Sequence, residues 1–140
     1  MKAFTYLLLS CLLALPVAAS AEVVVVASDS LGITSLNQAD VRLIFSGKRS
    51  NVDGVAVVPL DLPADAPARE VFYRKVLEKS ASQMRSHWAR LTFTGRGNPP
   101  KIVSGEDELA ILLSSSSRNY IGYMDAAMVR PGMVILYRAE

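Results

Sequence analysis

The stretch PLDLPADAPAREVFYRKVL, residues 59–77, contains the residue types from which many α/β proteins build an anion site. An apolar run ends at Leu60, small, acidic and proline residues follow, and a helical pattern then begins. At such a strand–loop–helix junction, the unpaired N–H groups of the first helical turn can bind a phosphate or another anion. Arg69 is the one positive group in the first turns of this helix. The junction therefore has the architecture of an anion site.

The other reactive residue types do not indicate a catalytic or metal site. His87 is the single histidine, and it lies in a predicted helix, one position off the apolar stripe and without a neighbouring carboxylate. The sequence contains no metalloprotease, serine-hydrolase, EF-hand or Walker motif. The acidic residues 106–108 are explained by a helix N-terminus, where the macrodipole favours negative charge. We therefore expect no enzyme activity, no metal site and no cofactor.

Two further groups of residues have both a ligand-binding and a structural interpretation. The segment Thr-Gly-Arg-Gly-Asn, residues 94–98, can present N–H groups to an anion, but a loop that reverses direction before two prolines is the favoured interpretation. Trp88 lies on an apolar helical stripe and is assigned to the core, whereas Tyr120 and Tyr123 stay open between stacking on a ligand and packing. No basic stretch contains interleaved aromatic residues, so we expect no nucleic-acid partner.

The N-terminus has the pattern of a cleavable secretory signal. A positive start is followed by a short apolar run, a proline, and the small residues that a signal peptidase accepts. We expect residues 1–21 to be a signal peptide and residues 22–140 to be one domain. Cys11 is the single cysteine and would leave with the signal, which fits a periplasmic protein. The chain has 15 basic and 13 acidic residues, so its charge does not indicate a nucleic-acid or membrane partner.

Strand and helix patterns alternate along the chain. Residues 22–27 are β-branched on successive positions, as in a strand covered on both faces, and Asp53-Gly54 predicts a turn before a second buried strand at residues 55–58. Three further strands are predicted at residues 101–103, 120–123 and 133–137. The alternation predicts an α/β fold: a single three-layer domain with a mixed sheet.

Helix starts are predicted from capping patterns. Ser35 with Gln38, and Ser80 with Gln83, have the spacing of capping boxes, and Ser104 precedes an acidic first turn. The predicted inward faces are Leu36, Ala39, Leu43 and Ile44; Phe72, Tyr73, Val76 and Leu77; Ala81, Met84, Trp88 and Leu91; and Leu109, Leu112 and Leu113.

In the order of these elements the chain resembles one lobe of a type II periplasmic binding protein, in particular the phosphate-binding components of ABC transporters. It is most similar to short, single-lobe members of that superfamily. The segments that carry the resemblance are residues 35–48, the strand 55–58, Val71-Phe72 at the start of a helix, Phe93 to Gly97 followed by Pro99-Pro100, and the strand Ile121-Gly-Tyr123. Together they span most of residues 23–137.

The resemblance implies ligand-binding positions at the junction and also shows what is missing there. In the family, an arginine and an Asp-Gly-Ser-Gly-Thr loop hold the oxyanion, whereas the matching positions here are Asp65, Ala66, Pro67 and Ala68. Two hydroxyl donors are absent, and the proline lacks an N–H group. We expect Asp65 to cap the helix and take the place of an anion, with Arg69 as the compensating charge.

The half-cleft implied by one lobe would consist of the loops beyond the strand ends. These loops place Ser28 and Ser104 beside the junction, so the expected ligand-binding residues are Ser28, Asp65, Ala66, Ala68, Arg69 and Ser104. The resemblance implies inorganic phosphate or another small anion as a ligand, bound weakly because one lobe excludes little water. The alternative is a periplasmic protein-interaction or sensory domain that has lost phosphate binding and contacts a membrane transporter or sensor.

Overall fold

The computed structural model describes residues 22–115 and 118–140. The predicted signal peptide, residues 1–21, lies outside the described residues. The strands are β1 (Val23–Ser28), β2 (Asn51–Val52), β3 (Val55–Ala56), β4 (Val58–Asp61), β5 (Lys101–Ile102), β6 (Tyr120–Asp125) and β7 (Met133–Arg138). The helices are α1 (Gln38–Phe45), α2 (Pro67–Phe72) with a π-helical turn (Tyr73–Leu77) directly after it, α3 (Ala81–Phe93) and α4 (Glu106–Ser115). Single 3-10 turns follow β1 and β6, at Asp29–Leu31 and Ala126–Met128.

Five of these strands form one mixed sheet in the order β5-β4-β6-β1-β7. Strand β4 runs parallel to both β5 and β6, whereas β1 runs antiparallel to β6 and β7. The carboxyl ends of β4, β5 and β6 therefore lie at one edge of the sheet, and the carboxyl end of β1 lies at the opposite edge. This direction of β1 decides which loops can share a site.

The sheet is the middle of three layers. A Cβ atom on Gly122 would lie 2.7 Å from Leu109 Cδ1 of α4, whereas the next side chain along β6, Tyr123, stacks on Phe72 of α2. Because successive residues of a strand point to opposite faces, α4 covers one face of the sheet and α2 covers the other. The predicted α/β fold with a mixed sheet is confirmed.

Strand β1 is covered on both faces, as its sequence predicts. Residues 23–27 are all buried, with exposed fractions of at most 1%. Burying successive valines on both faces provides much of the apolar area that stabilises the sheet. The partners on either side of this strand, β6 and β7, bring Tyr123 and Leu136 into the same core.

Helix α1 begins later than its sequence predicts. Its N-cap is Asn37, whose side chain accepts a hydrogen bond from the Asp40 N–H, so the expected Ser35 capping box is wrong. The Gln38 side chain instead donates to the carbonyls of Lys75 and Val76 in the π-helical turn, both at 3.1 Å. This contact satisfies carbonyls that the irregular turn leaves free.

The buried face of α1 also differs from its prediction. Its buried residues are Val41, Ile44 and Phe45, and Leu36 is buried just before the helix. Ala39 and Leu43, expected on the core face, are exposed. Residues three and four apart share one side of a helix, so Val41, Ile44 and Phe45 form one stripe, which the helix turns toward the core.

The second strand also differs from its prediction. The Asp53-Gly54 turn is confirmed, with positive φ at both residues, and it joins β2 and β3 as a hairpin. Residues 55–58, however, are not one buried strand, since Val58 is 46% exposed. The buried positions lie further along, at Leu60, Asp61 and Leu62, where β4 crosses the core.

Helices α3 and α4 follow their capping patterns more closely. Ser80 and Gln83 form a complete capping box, and Met84 and Trp88 are buried as expected. Leu91 is half-buried, and Ala81 is exposed. On α4, Leu109 and Leu113 are buried. None of the helices in the described ranges is long and apolar enough to cross a membrane.

Gly47 and Gly32 allow a matched test of the packing between α1 and α3. Both have a left-handed φ, +77° and +72°, but a Cβ atom on Gly47 would lie 2.8 Å from Trp88 Cη2, whereas a Cβ on Gly32 meets no atom within 4 Å. We expect Gly32→Ala to cost about 1–2 kcal/mol of unfolding free energy through backbone strain alone. Gly47→Ala should cost about 1–3 kcal/mol more, because it also displaces the indole ring.

Urea denaturation followed by tryptophan fluorescence measures both values. Equal losses for the two variants would show that the Trp88 ring moves aside freely and does not hold α3 against the end of α1.

Candidate functional site

A buried carboxylate lies at the carboxyl end of β4. Asp61 is 6% exposed and is the one polar residue among the fully buried residues of the described chain. The parallel register pairs Val58 with Tyr120 and Pro59 with Ile121, and two residues further on it brings Asp61 beside Tyr123. The pairing of two strands thus places a carboxylate and a phenol next to each other in the core.

Both oxygens of the Asp61 carboxylate are hydrogen-bonded. The Tyr123 hydroxyl donates to Oδ1, and the Leu62 N–H donates to the same oxygen at 2.9 Å. The Tyr73 hydroxyl donates to Oδ2 at 2.5 Å. Burying an ionised carboxylate is costly unless it is paired and hydrogen-bonded, and these three donors come from the strand itself, from β6 and from the π-helical turn.

Arg69 provides the opposite charge. Its Nε lies 3.6 Å from Asp61 Oδ1, and its side chain is only 15% exposed. Its Nη2 donates to the Tyr73 hydroxyl at 3.0 Å, and its guanidinium carbon lies 4.7 Å from the centre of the Tyr73 ring. Arg69 and Tyr73 are four residues apart, so they are neighbours along the helical segment. Asp61, Arg69, Tyr73 and Tyr123 are called the junction network below.

An aromatic cluster holds Tyr123 in position. The Tyr123 ring stacks on Phe72, with the centroids 3.9 Å apart and the planes within 6°. Phe45 of α1 meets the same two rings edge-on, at 4.9 Å from Phe72 and 5.9 Å from Tyr123. Such contacts hold the Tyr123 side chain in one rotamer, so its hydroxyl stays directed at Asp61.

Burial and charge shift the pKa values of the network in consistent directions. Burial, then the hydrogen bond to Asp61 and its negative charge, raises the pKa of Tyr73 above its ordinary value. The pKa of Tyr123 is raised by burial, by the charge of Asp61 and by the hydrogen bond to it. Burial alone would lower the pKa of Arg69, but Asp61 and Tyr73 outweigh it and the pKa is raised. Both phenols are therefore neutral donors, and Arg69 is a cation.

Asp65 does not cap the helix, contrary to the expectation from sequence. Helix α2 begins at Pro67, its N-cap is Ala66, and no side chain makes a cap hydrogen bond there. Asp65 lies one residue earlier, in a turn, and is exposed. The carboxylate that pairs with Arg69 is Asp61, at the end of the strand and not in the loop. A carboxylate of the chain therefore does pair with Arg69, as expected, but it is the buried Asp61, four residues before Asp65.

The backbone of the junction offers few free donors. The Ala66 N–H donates to the Pro63 carbonyl, and the Arg69 N–H donates to the Ala66 carbonyl, both at 3.0 Å. Pro67 has no N–H group. Ala68 is buried, with an exposed fraction of 3%. The first turn of α2 therefore lacks the row of unpaired N–H groups that an anion site requires.

The two predicted serines lie apart from each other. Ser104 follows β5 and is at the same edge of the sheet as Asp61; its N–H donates to Glu108 Oε2 at 2.5 Å, which lowers the pKa of Glu108. Ser28 lies at the opposite edge, because β1 is antiparallel to β6, and its Oγ bonds to Ser30 Oγ at 2.8 Å. The expectation that Ser28 shares a half-cleft with the junction is wrong.

The other residues considered from the sequence, namely His87, residues 94–98 and Tyr120, lie in a helix contact, a loop and the core. The His87 ring pairs through Nε2 with the Ser46 carbonyl at 2.8 Å, which connects α3 to the end of α1. Residues 94–98 form a loop, in which the carbonyl of Gly97 accepts a hydrogen bond from the Thr92 hydroxyl. Tyr120 is buried. Within residues 22–115 and 118–140, no group of histidine, cysteine and acidic side chains could hold a metal ion.

The apolar pattern of the sequence predicts Tyr73 in the core, leaves Tyr123 open between a ligand and the core, and does not single out Asp61 as a functional residue. One local signal was available for Asp61, namely an acidic residue between two leucines at the end of an apolar run. A second was the spacing of Arg69 and Tyr73, four residues apart on one helix. The contact between Asp61 and Tyr123 depends on strand pairing across 62 residues, which no local pattern specifies.

Comparison with known proteins identifies the fold. No protein-family model matches the sequence, and no curated protein matches it. Among solved structures, the chain is similar to an ABC-type phosphate transport receptor from Vibrio cholerae (TM-score 0.64, 12% identity, 83% of this chain and 46% of that one). It is also similar to a putative phosphate ABC transporter substrate-binding protein with bound phosphate from Clostridium perfringens (0.65, 15%, 83% and 45%). A third similar structure is PstS from Borrelia burgdorferi (0.58, 13%, 83% and 47%).

At these identities the similarity establishes the fold, which is that of phosphate ABC transporter substrate-binding proteins. The chain spans less than half the length of the structures it matches.

The junction network predicts a loss of stability at alkaline pH. An unfolded tyrosine ionises near pH 10, and the pKa values of Tyr73 and Tyr123 are higher in the folded state. Their contribution is therefore complete below pH 10 and is lost as pH rises above it, at up to about 1.4 kcal/mol per pH unit for each tyrosine. Urea denaturation at several pH values between about 8 and 11 measures this slope.

Phenylalanine variants separate these residues from other titrating groups. At neutral pH, Tyr123→Phe should cost about 1–3 kcal/mol, because Asp61 loses a donor. The double variant Tyr73→Phe, Tyr123→Phe should lose most of the alkaline slope. Tyr137→Phe is the matched control, since the Tyr137 hydroxyl makes no hydrogen bond with the described residues. A slope that persists in the double variant would rule out the two buried phenols as its source.

Proposed function

We propose that this chain is an exported, periplasmic, non-enzymatic module with the fold of one lobe of a phosphate-binding protein, and that it contacts a protein partner instead of capturing phosphate. The observation that carries the proposal is the salt bridge between Asp61 and Arg69. The cation best placed to bind an oxyanion at the junction is already paired with an internal carboxylate, 3.6 Å from Arg69 Nε. The domain is then an accessory or sensory partner of a membrane transporter or sensor.

Charge supports this assignment. An oxyanion that approached Arg69 would also approach the carboxylate of Asp61, and two negative charges about 4 Å apart near a protein surface repel by about 4 kcal/mol. The hydroxyls of Tyr73 and Tyr123 both donate to Asp61, so neither proton is available to a ligand. A bound phosphate would have to displace Asp61 from three hydrogen bonds.

The backbone of the junction supports the same assignment. The N–H groups of Ala66 and Arg69 are already bonded, and Pro67 has none. Export is supported by the signal pattern of residues 1–21 and by the absence of cysteine from residues 22–140.

One observation favours a second candidate, weak oxyanion binding at Arg69. Its Nε–H group is buried, and it has no hydrogen-bond partner among the described residues. A buried donor without a partner costs free energy, so an anion that reached it would gain a charged hydrogen bond. The small movement that would bring Asp61 Oδ1 within bonding distance competes with this binding.

Thermal unfolding in phosphate separates the two candidates. At about 10 mM phosphate, compared with sodium chloride of equal ionic strength, we expect no change in Tm. A ligand at about 100 times its Kd would stabilise the fold by about 2.7 kcal/mol, which is a shift of several degrees in a domain of this size. A shift that is abolished by Arg69→Lys would replace the proposal with weak oxyanion binding.

Removal of the Asp61 carboxylate tests whether an external anion can take its place beside Arg69. Asp61→Ala leaves Arg69 without a counter-charge and should cost about 3–5 kcal/mol. Formate, acetate or phosphate should then raise the Tm of this variant by several degrees and leave the wild type unchanged, because an external anion takes the vacated place.

Two further variants control this experiment. Asp65→Ala changes an exposed carboxylate in the same loop and should behave like the wild type. Asp61→Ser also removes the charge and vacates most of the carboxylate's place, and it serves if the alanine variant does not fold. If no anion stabilises either Asp61 variant, then the carboxylate does not occupy an anion site, and the main support for the proposal is removed.

A further inference from the structure

A second surface lies away from the junction network, between α1 and α3. It is a groove of about 650 Å³ lined by the end of α1, by one side of α3, and by Leu77 and Lys79 at the end of the π-helical turn and just after it. We call it the basic groove. Its lining residues are Arg42, Leu43, Ser46, Lys48, Leu77, Lys79, Ser82, Gln83, Met84, Ser86, His87 and Arg90.

The charges that line the basic groove have one sign. Four of its residues are cations, Arg42, Lys48, Lys79 and Arg90, and none is acidic. Arg42 pairs with Glu78 at 3.2 Å, outside the lining. In the described part of the chain, no carboxylate pairs with Lys48, Lys79 or Arg90. Although the protein as a whole is nearly neutral, this groove presents a concentrated positive potential.

The floor of the groove is fixed and partly apolar. The His87 ring bonds to the Ser46 carbonyl at 2.8 Å, so α3 is attached to the turn that follows α1. Met84 and Leu77 are buried beneath the groove, and Leu43 is 36% exposed in its wall. A segment bound here would therefore meet apolar surface below and positive charge at the rim, the arrangement typical of a protein interface.

An exposed aromatic residue continues the same side of α3. Phe93 is 92% exposed, and it lies three residues after Arg90 at the last position of the helix. Residues three apart are neighbours on a helix surface, so Phe93 extends the line formed by Gln83, His87 and Arg90. Aromatic and arginine side chains are the residue types that most often dominate the free energy of protein interfaces.

We propose that the basic groove and Phe93 bind an acidic segment of a partner protein that carries an apolar side chain beside its carboxylates. The occupant is assigned by charge complementarity, since among the described residues Lys48, Lys79 and Arg90 have no carboxylate partner, and the cations extend along a groove instead of converging on one point. A single small anion would reach only some of them. A single-stranded nucleic acid would need a series of stacking side chains, and the described surface offers one exposed phenylalanine here. The inference rests on the proposed function, because it names the surface and the kind of partner.

A synthetic peptide tests the inference directly. The probe is a fluorescein-labelled peptide of glutamate, glycine and serine with one leucine, and binding to the purified wild-type protein is followed by anisotropy at low salt. We expect saturable binding that weakens steeply with salt, as charge-driven association does. Arg90→Glu should weaken binding by about tenfold or more. Arg85→Glu makes the same charge change on the same helix, outside the groove, and should change binding by less than about twofold.

The apolar part of the proposal has its own matched pair. Phe93→Ser should weaken binding of the leucine-containing peptide, and it should have little effect on a peptide with serine in place of leucine. Ile111→Ser removes an exposed apolar side chain from α4, on the other face of the sheet, and should leave binding unchanged. These residues are exposed, so the variants are expected to fold; the Tm of each one confirms this.

Three results would overturn the inference. The first is no binding of the acidic peptide at millimolar concentration, and the second is equal weakening by Arg85→Glu and Arg90→Glu. The third is binding of oligothymidine or of phosphatidylglycerol vesicles at concentrations at which the peptide does not bind. The proposed function has its own, separate test. It fails if phosphate raises the Tm of the wild type, Arg69→Lys abolishes this rise and Arg90→Glu retains it.

Discussion

The burial of the Asp61 carboxylate is the constraint on which the arrangement of the junction depends. A carboxylate in the core is tolerated only if its charge is matched, and here two hydroxyl donors and the opposite charge come from three separate elements. Tyr123 lies on β6, Tyr73 lies on the π-helical turn, and Arg69 lies on α2. A shift of β4 against β6 by one residue would break the hydrogen bond between Asp61 and Tyr123, and Asp61 would lose one of its three donors. The junction network therefore specifies both the register of β4 against β6 and the position of α2 beside them.

The layers around the network are fitted to it on both faces of β6. On one face, Phe72 and Phe45 enclose the Tyr123 ring, so α1 and α2 determine the direction of its hydroxyl. On the other face, Gly122 gives Leu109 the space that a Cβ atom would take. Neighbouring residues of one strand thus serve opposite requirements, a large fixed ring on one side and close helix packing on the other.

Local patterns predicted much of the fold, whereas the site depended on contacts between distant residues. The Asp53-Gly54 turn and the Ser80 capping box lie within a few residues of the atoms that stabilise them, and the run of successive valines in β1 is itself typical of a strand covered on both faces; all three were predicted. The predicted start of α1 was wrong because Ser35 and Asn37 are both good N-cap residues. The contact of Gln38 with the π-helical turn favours Asn37. The direction of β1, and with it the position of Ser28, follows from pairing with β6 and β7, on which the sequence of β1 gives no information.

On the proposed function, an internally satisfied junction has a consequence for signalling. A ligand shifts a conformational equilibrium only by its difference in affinity for the two states. Asp61 is part of the chain, and it connects β4 to β6 and to the helical segment of Arg69 and Tyr73 whether or not any solute is present. The junction then provides a rigid scaffold and cannot report the concentration of an ion. Any signal must come from the occupancy of another surface, and the basic groove between α1 and α3 has the unpaired charge to bind a partner without disturbing the buried network.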